Sequence, residues 1–327
     1  MLVDATKQKA RPLTKSDFSN VAVLVPCLDE AVSIAQVIGD FRGALPGAKI
    51  YVFDNGSADD TVRIARENGA IVRVEPRRGK GNVIARMFRD VEADYFLLVD
   101  GDATYDAAAA PQMIEKVRTE FLDVLIGVRK GSYAGQYRPG HQLGNSLFTM
   151  IIRLLFNAQV SDVLSGYRLM SRRFVKSFPV SARGFEIETE LTVHMLEVGV
   201  PFGEFPAEYF NRPETSESKL NTWKDGFRIL RTIATLVAAE RPIAVFCGLG
   251  MASIIVGVLA FLPVLAEYNA TGVVPRFPTL IASTTLGIIG LIACFGGLVL
   301  DGVTRTRRDM KKLAFLAQVQ PSGAVRR

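Results

Sequence analysis

"FLLVDGDATYD" (Phe96–Asp106) is an apolar run that stops on two aspartates, Asp100 and Asp102, with only Gly101 between them. A short stretch of large apolar residues, ended abruptly by Asp and Gly, has the form of a strand buried on both faces. The same form recurs on either side of it. Upstream, "VAVLVP" leads into "EAVSIAQVIGDFRGAL", whose apolar residues fall at helical spacing, "KIYVFDNGS" leads into "ADDTVRIARENG", and "AIVRVEP" leads into "GNVIARMFRDVEA". Downstream, the helical "AAAAPQMIEKVRTE" is followed by "DVLIGVR". Five apolar strands, all but the last followed by a helix, predict an α/β domain: a Rossmann-like, mostly parallel sheet with helices on both faces. Sheets of this kind bind ligands beyond the carboxyl ends of their strands. The residues that leave those ends are therefore the candidates: Pro26 to Glu30, Asp54 to Ser57, Arg77 to Gly81, Asp100 to Asp106, and Arg129.

With 327 residues, 49% of them hydrophobic, the chain has enough material for such a domain and a sizeable appendage. Its three cysteines, Cys27, Cys247 and Cys294, lie far apart in apolar sequence, which indicates neither a disulfide framework nor a zinc site and fits a cytosolic catalytic domain. A formal net charge of +6 suits nucleic acid, an anionic membrane or a phosphorylated substrate, so the positions of the charges must decide. Residues 1–20 are polar and basic, without the apolar core of a secretory signal, and are expected to form a loose arm.

Residues 242–266 and 277–300 carry no charged side chain, and each is long enough to cross a hydrocarbon core of about 30 Å. They are expected to be two transmembrane helices. Arg228, Arg231 and Arg241 precede the pair, Arg305, Arg307, Arg308, Lys311 and Lys312 follow it, and the loop between holds only Glu267 and Arg276. The excess of positive charge outside the hairpin predicts that both termini face the cytoplasm. Before the pair, Trp223, Phe227, Leu230 and Val237 alternate with Lys224, Arg228 and Arg231 in a helix running to about Glu240. That amphipathic face suits either a membrane surface or packing against the catalytic domain. The expected organisation is an arm (1–20), a catalytic domain (21–220), an amphipathic juxtamembrane helix (221–241), two membrane helices (242–303) and a basic cytoplasmic tail (304–327). Between 130 and 240 the pattern is less regular, with helices expected near 141–157 and in "FEIETELTVHMLEVG".

Two carboxylates at a strand end can hold a hard divalent cation against a phosphorylated ligand, because Mg²⁺ or Mn²⁺ takes oxygen ligands and shares them with a diphosphate. An isolated Asp-x-Asp also occurs as a turn or cap, and Asp106 is placed to cap the alanine-rich helix after it. The context adds acids at two further strand ends, Asp29 and Glu30 in "VPCLDE" and Asp54 in "VFDNGSADDT". Asp54 can accept hydrogen bonds from a base or ribose, cap its own Asn-Gly turn, or do both. In "RRGKGN" the backbone and Lys80 can meet an anion at a helix start, or the glycines can serve only a tight turn.

"VPCLDEAVSI", "VFDNGSADDT", "RRGKGNVI" and "LLVDGDATY", in this order, resemble the inverting family 2 glycosyltransferases of GT-A fold, and the likeness continues through "SGYRLMSRRF", "GFEIETEL" and "ESKL" over residues 20–240. With the C-terminal helices it is similar to the polyprenyl-phosphate branch, which includes dolichyl-phosphate mannose synthase and the bactoprenol glucosyltransferases. The resemblance implies a nucleotide pocket of Pro26, Leu28, Glu30 and Asp54. It sets Asp100 and Gly101 against ribose and diphosphate, and Asp102 on Mg²⁺ or Mn²⁺, with Asp100 and Thr104 as further candidate ligands. Thr104 stands where the mannose synthases often have Gln. Arg129, Arg138, Arg212 and Lys219 match basic residues that meet phosphates, Arg212 with the donor and the other three, with Asp102, at the reacting groups. Asp162, Arg168, Glu186 and Glu188 are read as orienting these groups rather than as bases, since a phosphate acceptor is already largely deprotonated near neutral pH.

The activity implied is metal-dependent transfer of a sugar, with inversion, from a nucleotide sugar to a polyprenyl phosphate such as undecaprenyl or dolichyl phosphate. The expected partners are a UDP-sugar rather than GDP-mannose, the lipid and the membrane, a bacterial inner membrane by the resemblance, and not nucleic acid. A lipid-linked saccharide or glycolipid acceptor, nucleotidyl transfer, and a non-catalytic scaffold are the competing readings. The sugar, the prenyl chain and the oligomeric state, a homo-oligomer included, are not written in these motifs.

Overall fold

The computed structural model describes residues 18–130, 149–180, 186–210 and 234–319. The chain divides into two compact units, one comprising residues 1–138, 160–219 and 314–327 and the other residues 139–159 and 220–313.

In the first unit the predicted alternation is present: β1 (Val21–Cys27), α1 (Ile34–Ala44), β2 (Lys49–Asp54), α2 (Thr61–Glu67), β3 (Ile71–Val74), α3 (Lys80–Asp90), β4 (Tyr95–Leu98), α4 (Ala110–Glu120) and β5 (Val124–Lys130). Odd residues of β1 (Val21, Val23, Val25) pack with Ile34, Val37, Ile38 and Phe41 of α1 and Met113, Ile114 and Val117 of α4. On the other face, the Phe88 ring of α3 meets Phe96 at 6.5 Å and Phe178 at 6.1 Å. Each large apolar side chain buried in this way contributes about 1.5–3 kcal/mol. A sheet covered on both faces is what its continuous apolar strands require.

The sheet has seven strands, ordered β3-β2-β1-β4-β6-β5-β7. Two of them escape the sequence pattern. β6 (Arg168–Ser171) runs antiparallel between β4 and β5. β7 (Phe202–Glu208) lies parallel to β5 at the sheet edge, the position where its Pro206 removes no needed ladder donor. Between them lie α6 (Arg172–Ser177) and α7 (Ile187–Val198). β6 reverses direction, so β5 still points the same way as β1, β2 and β4, and the carboxyl ends of all four lie along one edge.

The second unit contains α5 (149–156), α8 (234–240), α9 (Pro242–Thr271) and all but the last turn of α10 (Phe277–Leu316). By length and composition, α9 and α10 are apolar enough to cross a membrane, and most of their apolar surface is exposed, with Leu249 at 64% and Phe295 at 69%. Glycines bring the two backbones together: a Cβ on Gly250 would stand 2.5 Å from the Gly290 carbonyl oxygen, and one on Gly257 2.8 Å from that of Ser283. Close approach through small residues is how helices associate without a hydrophobic drive between them. At the base of the hairpin, the buried Glu240 accepts from Arg307 and Arg308, each at 2.6 Å. The basic stretch after residue 303 continues α10 to Leu316.

Candidate active site

Four acids converge at the strand ends around Cys27. Burial first, then the charges of Glu30, Asp54, Asp100 and Asp102, push the Cys27 thiol well above its ordinary range. Gly101 makes this convergence possible, because a Cβ there would lie 2.7 Å from the Cys27 sulfur. The Gly101 carbonyl accepts from Ser33 Oγ at 2.7 Å, and the same hydroxyl donates to Glu30 at 3.2 Å, which binds the loop after β4 to the loop after β1. Pro26, the last residue but one of β1, lies opposite Phe53, and Leu28 follows the strand, half-buried.

Asp102 is buried, and its Oδ1 accepts from the Thr104 hydroxyl at 2.6 Å and from the Thr104 amide at 3.2 Å across a residue, Ala103, of φ 56°. The hydroxyl of Thr104, a candidate metal ligand by the resemblance, donates to Asp102. Asp106 caps the turn after it by accepting from Ala108 N at 2.9 Å, as its position predicts.

Asp100 faces a cation of the chain itself. Lys80, at the start of α3, donates to Asp100 Oδ1 at 2.6 Å and lies 2.5 Å from Glu188 Oε1 in the first turn of α7. Burial pushes the ammonium down, but the two carboxylates outweigh it and hold its pKa above the ordinary lysine value. Asp100 Oδ2 rests where a side chain on Gly166 would be. Lys80 of "RRGKGN" thus pairs with carboxylates of the chain itself, and Gly79 takes a φ of 122° in the turn before α3.

Asp54 serves its own turn: both oxygens are used, accepting from Gly56 N at 2.8 Å, from Ser57 N at 3.1 Å and from the Ser57 hydroxyl. The neighbouring Asn55, which the turn reading passes over, is buried and clamps the next loop, donating to the carbonyls of Glu75 and Arg77 and accepting from Gly79 N at 2.7 Å. Asp29 and Asp59 likewise tie the first two loops together through Ala58 N and Ala31 N.

At the end of β5, Arg129 makes a two-point contact with the buried Asp162, at 2.7 and 2.8 Å, and lies 5.7 Å from the centre of the Tyr209 ring. Arg168 is buried on β6, with its guanidinium on the carbonyls of Ser165 and Val163 and on Thr192 Oγ1. Burial lowers its pKa to about 10, opposed by the charges of Glu188 and Asp162. Asp162 and Glu188 thus pair with basic side chains, and Arg168 holds backbone carbonyls. Glu186 precedes α7 without capping it. Arg138, Arg212 and Lys219 lie outside the described residues.

No group of three or more His, Cys, Asp or Glu positioned to hold a metal occurs among the described residues. Asp100 and Asp102, two residues apart after β4, are carboxylates, which fit a hard cation that draws its other ligands from a diphosphate and water. Asp100 already accepts one positive charge, from Lys80.

The sequence pattern of "Glycosyl transferase family 2" matches residues 22–178. Glycosyltransferase AglJ of Haloferax volcanii is 29% identical over 298 residues, 89% of this chain and 96% of that protein. A dolichyl-phosphate hexose transferase of the same organism is 25% identical over 229 residues, 70% of this chain and 99% of that protein. Glucosyl-3-phosphoglycerate synthase from Mycobacterium tuberculosis, solved with Mn²⁺, UDP and phosphoglyceric acid, shares the fold at a TM-score of 0.53 and 22% identity, over 70% of this chain and 83% of that one. The carboxylates at the strand ends, the sheet that carries them and these relatives agree: the chain carries a glycosyl transferase family 2 domain over residues 22–178, with a GT-A fold, and is a glycosyltransferase.

Proposed function

We propose that the enzyme transfers a hexose, with inversion, from a nucleoside diphosphate sugar to the phosphate of a polyprenyl lipid at a membrane. One observation carries this reading: a single chain joins the Asp100–Asp102 strand end to a hairpin of two helices long and apolar enough to cross a bilayer. An acceptor confined to the bilayer gives that hairpin its purpose, since the lipid's phosphate sits at the interface. A dolichyl-phosphate hexose transferase among the relatives supports the acceptor class. UDP and Mn²⁺ in a neighbour of the same fold support a UDP-sugar donor and a divalent cation. The hairpin would make the enzyme an integral membrane protein, with its basic flanks on the cytoplasmic side.

In this reaction an oxygen of the lipid phosphate attacks the anomeric carbon from the face opposite the diphosphate. The new C–O bond forms as the bond to the nucleotide breaks, and the bonding pair leaves on the diphosphate oxygen. A phosphate monoester with a second pKa of about 6 needs no general base, and Glu188, one candidate for that role, is an ion-pair partner of Lys80. Asp102, steadied by Thr104, and Asp100 are the residues that would hold Mg²⁺ or Mn²⁺, which when bound stabilises negative charge on the leaving group. Lys80 keeps Asp100 aligned, and Arg129 stands at the strand end where the acceptor's phosphate would enter.

The test is direct. The full chain, purified in detergent or nanodiscs, is given Mg²⁺ or Mn²⁺, undecaprenyl phosphate and a panel of UDP- and GDP-sugars. A sugar-phosphate lipid from the wild type and none from Asp102→Ala is the expected result. Absence of lipid product with every donor, or transfer indifferent to Asp102→Ala, would overturn the proposal.

A further inference from the structure

Arg129 leaves β5 next to a segment fixed at nearly every residue. Ser161 N donates to Glu204 on β7 at 2.5 Å, and Ser165 Oγ donates to the Gly127 carbonyl on β5 at 2.6 Å. Gly166 N donates to Tyr105 Oη at 3.0 Å, and Arg168 gathers the Val163 and Ser165 carbonyls beneath. Val160 and Val163 are wholly buried. Asp162 sits within this frame at 6% exposure and takes hold of Arg129 through Nε and Nη2 together. A contact through both nitrogens fixes the plane of a guanidinium. Tyr209 lies against the guanidinium, and is itself held edge-on by Tyr105, three residues after Asp102, at 5.1 Å.

Resting on the acceptor reading above, we infer that Asp162 is a positioning residue for acceptor recognition, holding Arg129 in the one orientation in which it meets the lipid's phosphate. A long side chain ordered before binding gives up less entropy on binding, so the benefit falls on the acceptor's affinity. A different role for the same pair would be simple neutralisation, with Asp162 shielding the arginine's charge until a phosphate displaces it. The two roles have opposite signs. Removing the charge of a shielding aspartate strengthens the pull of Arg129 on an anion; removing that of a positioning aspartate frees the side chain and weakens recognition.

Asp162→Asn therefore decides between them, with initial rates measured separately against undecaprenyl phosphate and against the donor. The expected result is an acceptor KM raised about tenfold with donor KM unchanged, and no further rise when Asp162→Asn is added to Arg129→Gln, because the effect passes through Arg129. An acceptor KM that falls or stays constant, or a rise that adds in full to that of Arg129→Gln, overturns the inference. A loss confined to thermal stability, or one shared by both substrates, marks a structural residue only and overturns it too. If the asparagine variant does not accumulate, Asp162→Glu keeps the charge but shifts its reach by one methylene and is read by the same two KM values. A wild type with no transfer to polyprenyl phosphate removes the acceptor reading and this inference together; wild-type transfer with an acceptor KM indifferent to Asp162 removes this inference alone.

Discussion

The Lys80 ammonium lies 2.5 Å from the Glu188 carboxylate, joining the first residue of α3 to the first turn of α7. With its other contact, to Asp100 at 2.6 Å, it forms a triad in which one cation serves two acids. Lys80→Met leaves both acids in place without their cation, and breaking such a buried pair costs about 3–5 kcal/mol. Thermal unfolding of the detergent-solubilised chain should show that loss, and Lys80→Arg should recover part of it. The pH dependence follows from the sign of the shift. A base whose folded pKa is raised contributes its full stability below the unfolded value of about 10.4 and loses it only above that, as pH climbs through the folded value. The gap between wild type and Lys80→Met should therefore be constant from about pH 6 to pH 9.

Gly166→Ala separates site geometry from stability. The new methyl would occupy the place of Asp100 Oδ2, the end of a side chain that can rotate away, so the fold can absorb the change. Gly166 does not have a positive φ, and alanine there reduces the freedom of the unfolded chain, a gain of about 0.4–1 kcal/mol. The displaced carboxylate, however, leaves Lys80. Sugar transfer is expected to fall more than tenfold at nearly unchanged melting temperature; equal activity would show that the placement of Asp100 is not critical.

Much of this site was legible in the sequence because buried parallel strands announce themselves as apolar runs, and the residue ending each run marks the ligand edge. Asp100, Asp102 and Arg129 follow from that rule alone. Side-chain allocation does not. "VFDNGSADDT" offers the turn role of Asp54 but does not reveal that both its oxygens are spent there or that Asn55 secures the next loop, because each depends on backbone geometry. Glu188 as the partner of Lys80 depends on α7 returning to the start of α3, a long-range contact invisible to spacing. β6 and β7 were missed for different reasons: one is four residues long and begins with a buried arginine, and the other contains Gly203 and Pro206, which only an edge position tolerates.

Glu75 gives a prediction in acid. Its carboxylate, 3% exposed, accepts from Arg77 Nε at 3.0 Å and Arg77 N at 2.9 Å, with Arg86 at 3.7 Å. The hydrogen bond from Arg77, ahead of the opposing effect of burial, holds its pKa below the ordinary glutamate value. For an acid with a depressed folded pKa, the stabilisation is present above the unfolded value of about 4.3 and is lost as pH falls through the folded one. Glu75→Gln should thus be less stable than wild type at pH 6, and the difference should shrink steadily towards pH 3. A difference independent of pH would mean that the charge of Glu75 contributes nothing.

Thr104 offers the sharpest test of how the metal would be held. Its hydroxyl donates to Asp102 Oδ1 at 2.6 Å while its amide supplies a second, longer bond to the same oxygen. Thr104→Val keeps the volume and the amide contact and removes only the hydroxyl. The loss of one buried hydrogen bond costs about 1–3 kcal/mol of stability, so the protein should still fold. A group that orients a metal-binding carboxylate without touching the metal typically changes metal affinity by about 10–100-fold when removed. The Mn²⁺ concentration for half-maximal activity should rise by that order, with activity recovered at saturating Mn²⁺ and with Thr104→Ser near wild type. If Thr104→Val remains inactive at every Mn²⁺ concentration, the hydroxyl is a ligand in its own right, and the support role drawn from its bond to Asp102 is wrong.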